Sequence, residues 1–108
     1  PLELAEGAGA RATTLHELSR DRSLPIVLDF FAPWCKACPA AAQKLEELAE
    51  AFEDRCLFLL VCVDGGLEGA RAFAAAHGLR RCALAAVDED EDLDAALGVH
   101  GLPHKALI

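Results

Sequence analysis

Two cysteines three residues apart, Cys35 and Cys38, are the residues of this 108-residue sequence best suited to chemistry. They lie in Trp34-Cys35-Lys36-Ala37-Cys38, just after an apolar, β-branched stretch and at the start of a helical pattern. A thiolate is the reactive form of cysteine, and a helix N-terminus stabilises it through unpaired N–H groups and the helix dipole. The first cysteine is therefore expected to be acidic and exposed. The second should turn into the helix, within reach for a disulfide. That asymmetry suits thiol–disulfide exchange, in which one sulfur attacks and the other resolves the mixed disulfide. Metal binding is the competing chemistry. A structural zinc site wants four ligands, often as two close pairs, whereas Cys56, Cys62 and Cys82 stand alone. The cysteine arithmetic favours redox chemistry.

Asp29 is the second candidate. Pro25 to Phe31 reads as a buried strand, β-branched and aromatic, with this one charge in its middle. Burying a charged carboxylate costs several kcal/mol, so its pKa should be raised. Such a group can take the proton from the second thiol, through a water. The alternative is an Asp at a strand edge or end that reaches solvent. Trp34 is expected to cover the first sulfur and to offer a partly exposed contact to a substrate chain.

The elements that would position these residues follow from periodicity. Thr14-Leu15-His16-Glu17 has the form of a capping box, which predicts a short helix to about Arg20, with turn material from Asp21 to Leu24. After Trp34, Ala41, Leu45, Leu48, Ala49 and Phe52 make one apolar helical stripe, with Glu46, Glu47 and Glu50 facing away. Cys56 to Val63 reads as a strand covered on both faces, and Asp64-Gly65-Gly66 as a turn. Leu67, Ala70, Phe73, Ala74 and His77 form a second helical stripe closed by Gly78. Cys82 to Val87 predicts a short strand, Leu93 to Leu97 a short helix ended by Gly98, and Lys105 to Ile108 the opening of a last strand. Cys56, Cys62 and Cys82 read as small core residues, and so do Phe30, Phe31, Phe52, Phe58 and Phe73. Strands alternating with helices give an α/β class around a central sheet.

Composition bounds the function classes. Apolar residues make up 54% and charged residues 26%, enough for a single domain with a core. Eighteen acidic residues against ten basic ones give a formal net charge of −8, which argues against nucleic-acid binding. Six of the acids crowd between Asp88 and Asp94, and without them the net charge would be −2. That run is a solvated helix start or loop, or a docking patch for a basic partner. The longest wholly apolar run, Cys56 to Val63, is eight residues, short of the roughly 20 needed to cross a bilayer. Pro1 to Thr14 has no secretory pattern, and a chain with no methionine is expected to be a processed protein or an excised domain. Five cysteines, an odd number, lean towards a reducing compartment, cytoplasmic or organellar. The alternative is an extracytoplasmic or periplasmic location after removal of a targeting segment.

Asp29-Phe30-Phe31-Ala32-Pro33-Trp34-Cys35-Lys36-Ala37-Cys38 resembles the strand, tryptophan and CxxC segment of the thioredoxin superfamily, register included. Val99-His100-Gly101-Leu102-Pro103 resembles that family's cis-proline loop, and the resemblance runs in order from Leu15 to Ile108. It implies a thioredoxin fold, a central mixed sheet flanked by helices, as one domain over residues 1–108. The family's closing hairpin strand and C-terminal helix would fall beyond Ile108. It also implies a protein disulfide oxidoreductase, foremost a reductase: Cys35 attacks, Cys38 resolves and Asp29 handles the proton. Trp34, Leu102 and Pro103 would contact the substrate, with Pro103 packed beside the sulfurs. The implied partners are disulfide-containing proteins and an unidentified electron donor, with no cofactor and no metal.

The long spacing from Cys38 to Pro103, with Arg71 to Gly78 as extra helix, resembles the TlpA/ResA branch. That branch usually reduces partner disulfides outside the cytoplasm. Asp29 instead matches the thioredoxins proper, where TlpA-like proteins often carry Asn. Other departures concern tuning. Lys36-Ala37 replaces Gly-Pro, and a cation beside Cys35 favours its thiolate and a more oxidising disulfide. Otherwise Lys36 simply faces water. Gln43 stands at the usual helix proline, with Pro39 earlier, and His104 follows the cis-proline in place of Thr. An imidazole there would tune the sulfurs, or only pack. A carrier of copper, zinc or iron, or a redox sensor, using Cys35, Cys38 and His104 is the alternative function.

Overall fold

Residues 2–6, 9–22, 24–52, 54–87 and 104–107 are described by a computed structural model. The chain order is β1 (Leu2–Glu6), β2 (Gly9–Thr13), α1 (Leu15–Arg22), β3 (Ile26–Phe31), α2 (Cys38–Phe52), β4 (Leu57–Cys62), α3 (Gly66–His77), β5 (Ala83–Val87) and β6 (His104–Leu107). The strands form one sheet in the order β2-β1-β5-β4-β3-β6. The β3-α2-β4 and β4-α3-β5 units are parallel crossovers that step the same way across the sheet. Right-handed crossovers in one direction put both helices on the same face. The core divides accordingly. Cys38, Ala42, Leu45 and Ala49 of α2 share a cluster with Leu67, Ala70 and Phe73 of α3. Leu18 of α1 packs on the other face with Ile26, Leu28 and Phe30.

Period-two alternation assigns each strand residue to a face. Phe58, Leu60 and Cys62 of β4 join the α2–α3 side, and Leu59 and Val61 join the α1 side. The thioredoxin-like α/β architecture expected from sequence is the one found. The β1–β2 hairpin, whose β1 pairs with β5, was not anticipated. Its strand β2 is Gly-Ala-Arg-Ala-Thr, with only Thr13 buried, so it lacks the apolar alternation by which a strand is recognised.

Several expectations need correction. Helix α1 is capped as predicted, Thr14 Oγ1 accepting the Glu17 N–H at 3.1 Å, but it continues past Arg20 to Arg22. The buried stripe of α2 is Cys38, Ala42, Leu45 and Ala49, whereas Leu48 and Phe52 are exposed. With Cys38 at the helix start facing the core, the buried face runs at i, i+4, i+7 and i+11 from that residue, and the predicted stripe is turned partly outward. Phe52 is thereby not a core residue. Cys56 is half-buried just before β4, while Cys62 and Cys82 are buried as expected. The predicted helix at Leu93–Leu97 lies outside the described residues.

Glu46 does not face away. Its carboxylate accepts backbone N–H groups from Arg80 at 2.7 Å, Arg81 at 2.9 Å and Cys82 at 3.2 Å, so α2 holds the segment that leads into β5. Burial pushes this carboxyl up, but the three N–H bonds outweigh it, and its pKa falls below the ordinary 4.5. A lowered pKa in the fold means the contribution is complete above the unfolded value and is lost as pH falls through the folded one. Glu46→Ala should lower stability by about 1–2 kcal/mol at pH 7, read from the urea midpoint. The gap between the two proteins should narrow on acidification below 4.5. A gap unchanged down to the acid transition would assign Glu46 to packing alone.

Candidate active site

Strand β3 ends at Phe31, and the chain turns through Ala32-Pro33-Trp34 before α2 begins. The turn is fixed by backbone bonds: Cys35 N–H donates to the Ala32 carbonyl at 3.1 Å and Cys38 N–H to the Cys35 carbonyl at 3.3 Å. The helix therefore starts at Cys38, three residues later than Cys35. Pro39 occupies the first helical turn, where a missing N–H costs no helical bond. Cys35 and Cys38 are joined in a disulfide with Cα atoms 5.4 Å apart, inside the usual range of about 4.4–6.8 Å. Cys38 is fully buried, as expected. Cys35 departs from expectation: only 7% of it is exposed, because the turn seats it in the cluster with Phe31 and Ala32. Lys36 and Ala37 form the exposed tip of the turn.

Trp34 stands 66% exposed beside this turn. Its indole Nε1 donates to Asp64 Oδ2 at 2.7 Å, so an otherwise mobile aromatic side chain is tethered to the segment after β4. That segment is itself built for close approach. Gly65 has φ +103° and Gly66 φ +66°, backbone conformations that side chains with a Cβ rarely adopt. A Cβ on Gly69 would lie 3.6 Å from Pro33 Cγ, so the start of α3 packs against the active turn. The Cys62 thiol donates to the Asp64 carbonyl at 3.1 Å, and burial pushes its pKa above the ordinary 9.0. Asp64 was legible in the sequence only as turn material, since nothing local marks a partner 30 residues away.

Asp29 is 0% exposed, at the centre of β3. Its neighbours Val27 and Phe31 pack on the α2–α3 side, so alternation puts Asp29 on that side too, the side of Cys38. Its register partners are Leu60 on β4 and Lys105 on β6. The solvent-reaching alternative is excluded. His104 opens β6 opposite Phe30 in the ladder. Leu102 and Pro103, the expected substrate contacts, lie outside the described residues. Among the described residues no group of three or more His, Cys, Asp or Glu is arranged to hold a metal ion.

Asp64→Ala should lower the steady-state fluorescence anisotropy of Trp34, the chain's single tryptophan, at a stability cost of about 1 kcal/mol or less. An unchanged anisotropy would mean that packing, not the bond to Asp64, holds the ring.

Known proteins resemble this chain in sequence and in fold. A thioredoxin-like protein, CITRX, chloroplastic, from Oryza sativa subsp. indica is 37% identical over 92 residues, covering 84% of this chain and 47% of its own length. The chain thus spans about half the length of that curated relative. The thioredoxin domain of a thiol-disulfide oxidoreductase from Bacteroides vulgatus superposes with a TM-score of 0.80 at 17% identity, over 100% of this chain and 76% of its own. The structure of MTB dsbF matches with a TM-score of 0.66 at 25% identity, over 79% of this chain and 62% of its own. The thioredoxin family model matches residues 11–76, more than half of the sequence, and the chain belongs to the thioredoxin family.

Proposed function

We propose that this chain reduces disulfides in proteins, cycling Cys35 and Cys38 between dithiol and disulfide. The observation that carries the reading is the Cys35–Cys38 disulfide itself, seated on the turn between a buried strand and the helix that starts at Cys38. In the reductive direction the Cys35 thiolate attacks a substrate sulfur, forming a mixed disulfide and releasing the first substrate thiol. The Cys38 thiolate then attacks Cys35, closing the disulfide and releasing the second. Two electrons pass to the substrate, and an external dithiol donor restores the pair.

Asp29 takes the proton that Cys38 gives up. In support, it is a carboxylate buried without any solvent exposure, on the same side of the sheet as Cys38. Trp34, exposed and tethered by Asp64, offers the substrate chain an aromatic contact. A reducing compartment, cytoplasmic or organellar, accords with three free cysteines beside the bonded pair. Among the described residues no helix is long and apolar enough to cross a membrane.

Three measurements test the reading. Cys35→Ser should abolish thiol exchange with a model protein disulfide, and Cys38→Ser should accumulate the mixed disulfide on Cys35. Retained turnover in Cys35→Ser would sink the assignment. The reduction potential of the pair should lie near about −270 mV, whereas a value above about −200 mV would make the chain an oxidase or isomerase. Asp29→Asn should slow resolution roughly a hundredfold or more near neutral pH and flatten the pH–rate profile. A profile matching the wild type would remove Asp29 from the mechanism.

A further inference from the structure

Cys62 is a buried thiol that the exchange steps do not use. It closes β4 and is the register partner of Phe31, the last residue of β3 before the turn that carries the disulfide. Its exposure is 0%, and burial pushes its pKa above the ordinary 9.0, so it keeps its hydrogen at neutral pH. That hydrogen goes to the Asp64 carbonyl at 3.1 Å.

A bond at this point matters because the residues that follow restrain the chain weakly. Gly65 and Gly66 stand at φ +103° and +66°, and glycine has the least restricted backbone of any residue. Helix α3 starts there with no side-chain cap. Before Asp64, the Val63 N–H is held by the Phe31 carbonyl at 2.9 Å. The thiol bond extends that anchorage by one residue and fixes the peptide plane after Asp64. A Cβ on Gly69 would lie 3.9 Å from Cys62 Sγ, 3.7 Å from the Asp64 carbonyl oxygen and 3.6 Å from Pro33 Cγ. The thiol, the carbonyl and the active turn thus meet at one glycine. Asp64 in turn holds Trp34, whose indole donates to its carboxylate at 2.7 Å.

We infer that Cys62 is a positioning residue for substrate binding: by fixing Asp64 it fixes the ring of Trp34, the aromatic contact for a substrate chain. Cys62 takes no part in the exchange itself. The inference rests on the reading that this chain reduces protein disulfides and meets them with Trp34.

The test uses the pre-reduced whole chain, with insulin as the protein disulfide and bis(2-hydroxyethyl) disulfide as the small one. In Cys62→Ala the half-saturating insulin concentration should rise about two- to fivefold, the span of one weak hydrogen bond, with the maximal rate unchanged. The rate with the small disulfide, which has no chain to lay against Trp34, should stay at the wild-type value. Cys62→Ser keeps a donor for the Asp64 carbonyl and should restore the wild-type half-saturation. Asp64→Ala should raise the half-saturating concentration at least as much. Adding Cys62→Ala to it should cost nothing more, because the thiol acts through that carboxylate. An equal loss for both disulfides, a fall in maximal rate alone, or additive penalties in the double variant would each overturn the inference. If Cys62→Ser misfolds, the double variant decides in its place. A wild-type chain that reduces neither disulfide would overturn the reductase reading, and this inference with it.

Discussion

Strand β3 has no dry alternative to its place in the sheet. Ile26, Leu28, Asp29, Phe30 and Phe31 are all at 0% exposure, with β4 on one edge and β6 on the other. Both faces are covered, by α1 on one side and by α2 and α3 on the other. Each of the aliphatic and aromatic side chains gains about 1.5–3 kcal/mol from that burial. The strand is therefore a rigid post, and the turn carrying Cys35 and Cys38 is bolted to its end by the Cys35–Ala32 backbone bond. The position of the sulfurs, the starting point of α2 and the stripe that α2 buries all follow from where β3 stops.

The same strand also carries a fully buried carboxyl, Asp29. A carboxylate with no exposure is costly in an apolar layer, typically by several kcal/mol. An apolar residue at position 29 would fit the surrounding layer of Val27, Phe31 and Leu60 without that cost. The carboxyl is kept on the strand that leads into the turn bearing the disulfide. That placement is what supports the proposed role of Asp29 in proton transfer.

Much of this was legible from local patterns. The strand Ile26–Phe31, the pair Cys35 and Cys38, the cap at Thr14 and the glycine stop at Gly78 are each specified by residues within a few positions of one another. What was not legible depends on distant partners. Glu46 reads as a solvent-facing residue until the segment at 80–82 comes within reach of it. Asp64 reads as turn until Trp34 is seen to donate to it. The exposure of Leu48 and Phe52 follows from a helix whose buried face runs through Cys38, Ala42, Leu45 and Ala49, a face that a count of apolar positions does not single out.

The five cysteines show how one side-chain type is sorted by surroundings. Cys62 gives its thiol hydrogen to the Asp64 carbonyl and helps hold the loop that anchors Trp34. Cys82 is kept protonated by burial and by Glu46 at its flank. Both are removed from exchange chemistry by their environment, not by distance alone, since thiol–disulfide exchange requires a thiolate with access to a partner sulfur. Cys35 and Cys38 escape that sorting because the turn after β3 puts them together at the head of α2. Cys56 is different in burial, half-buried just before β4 rather than inside the core. The two ends of one sheet thus carry sulfur in different states, a disulfide beside an exposed tryptophan at one end and a half-buried free cysteine at the other.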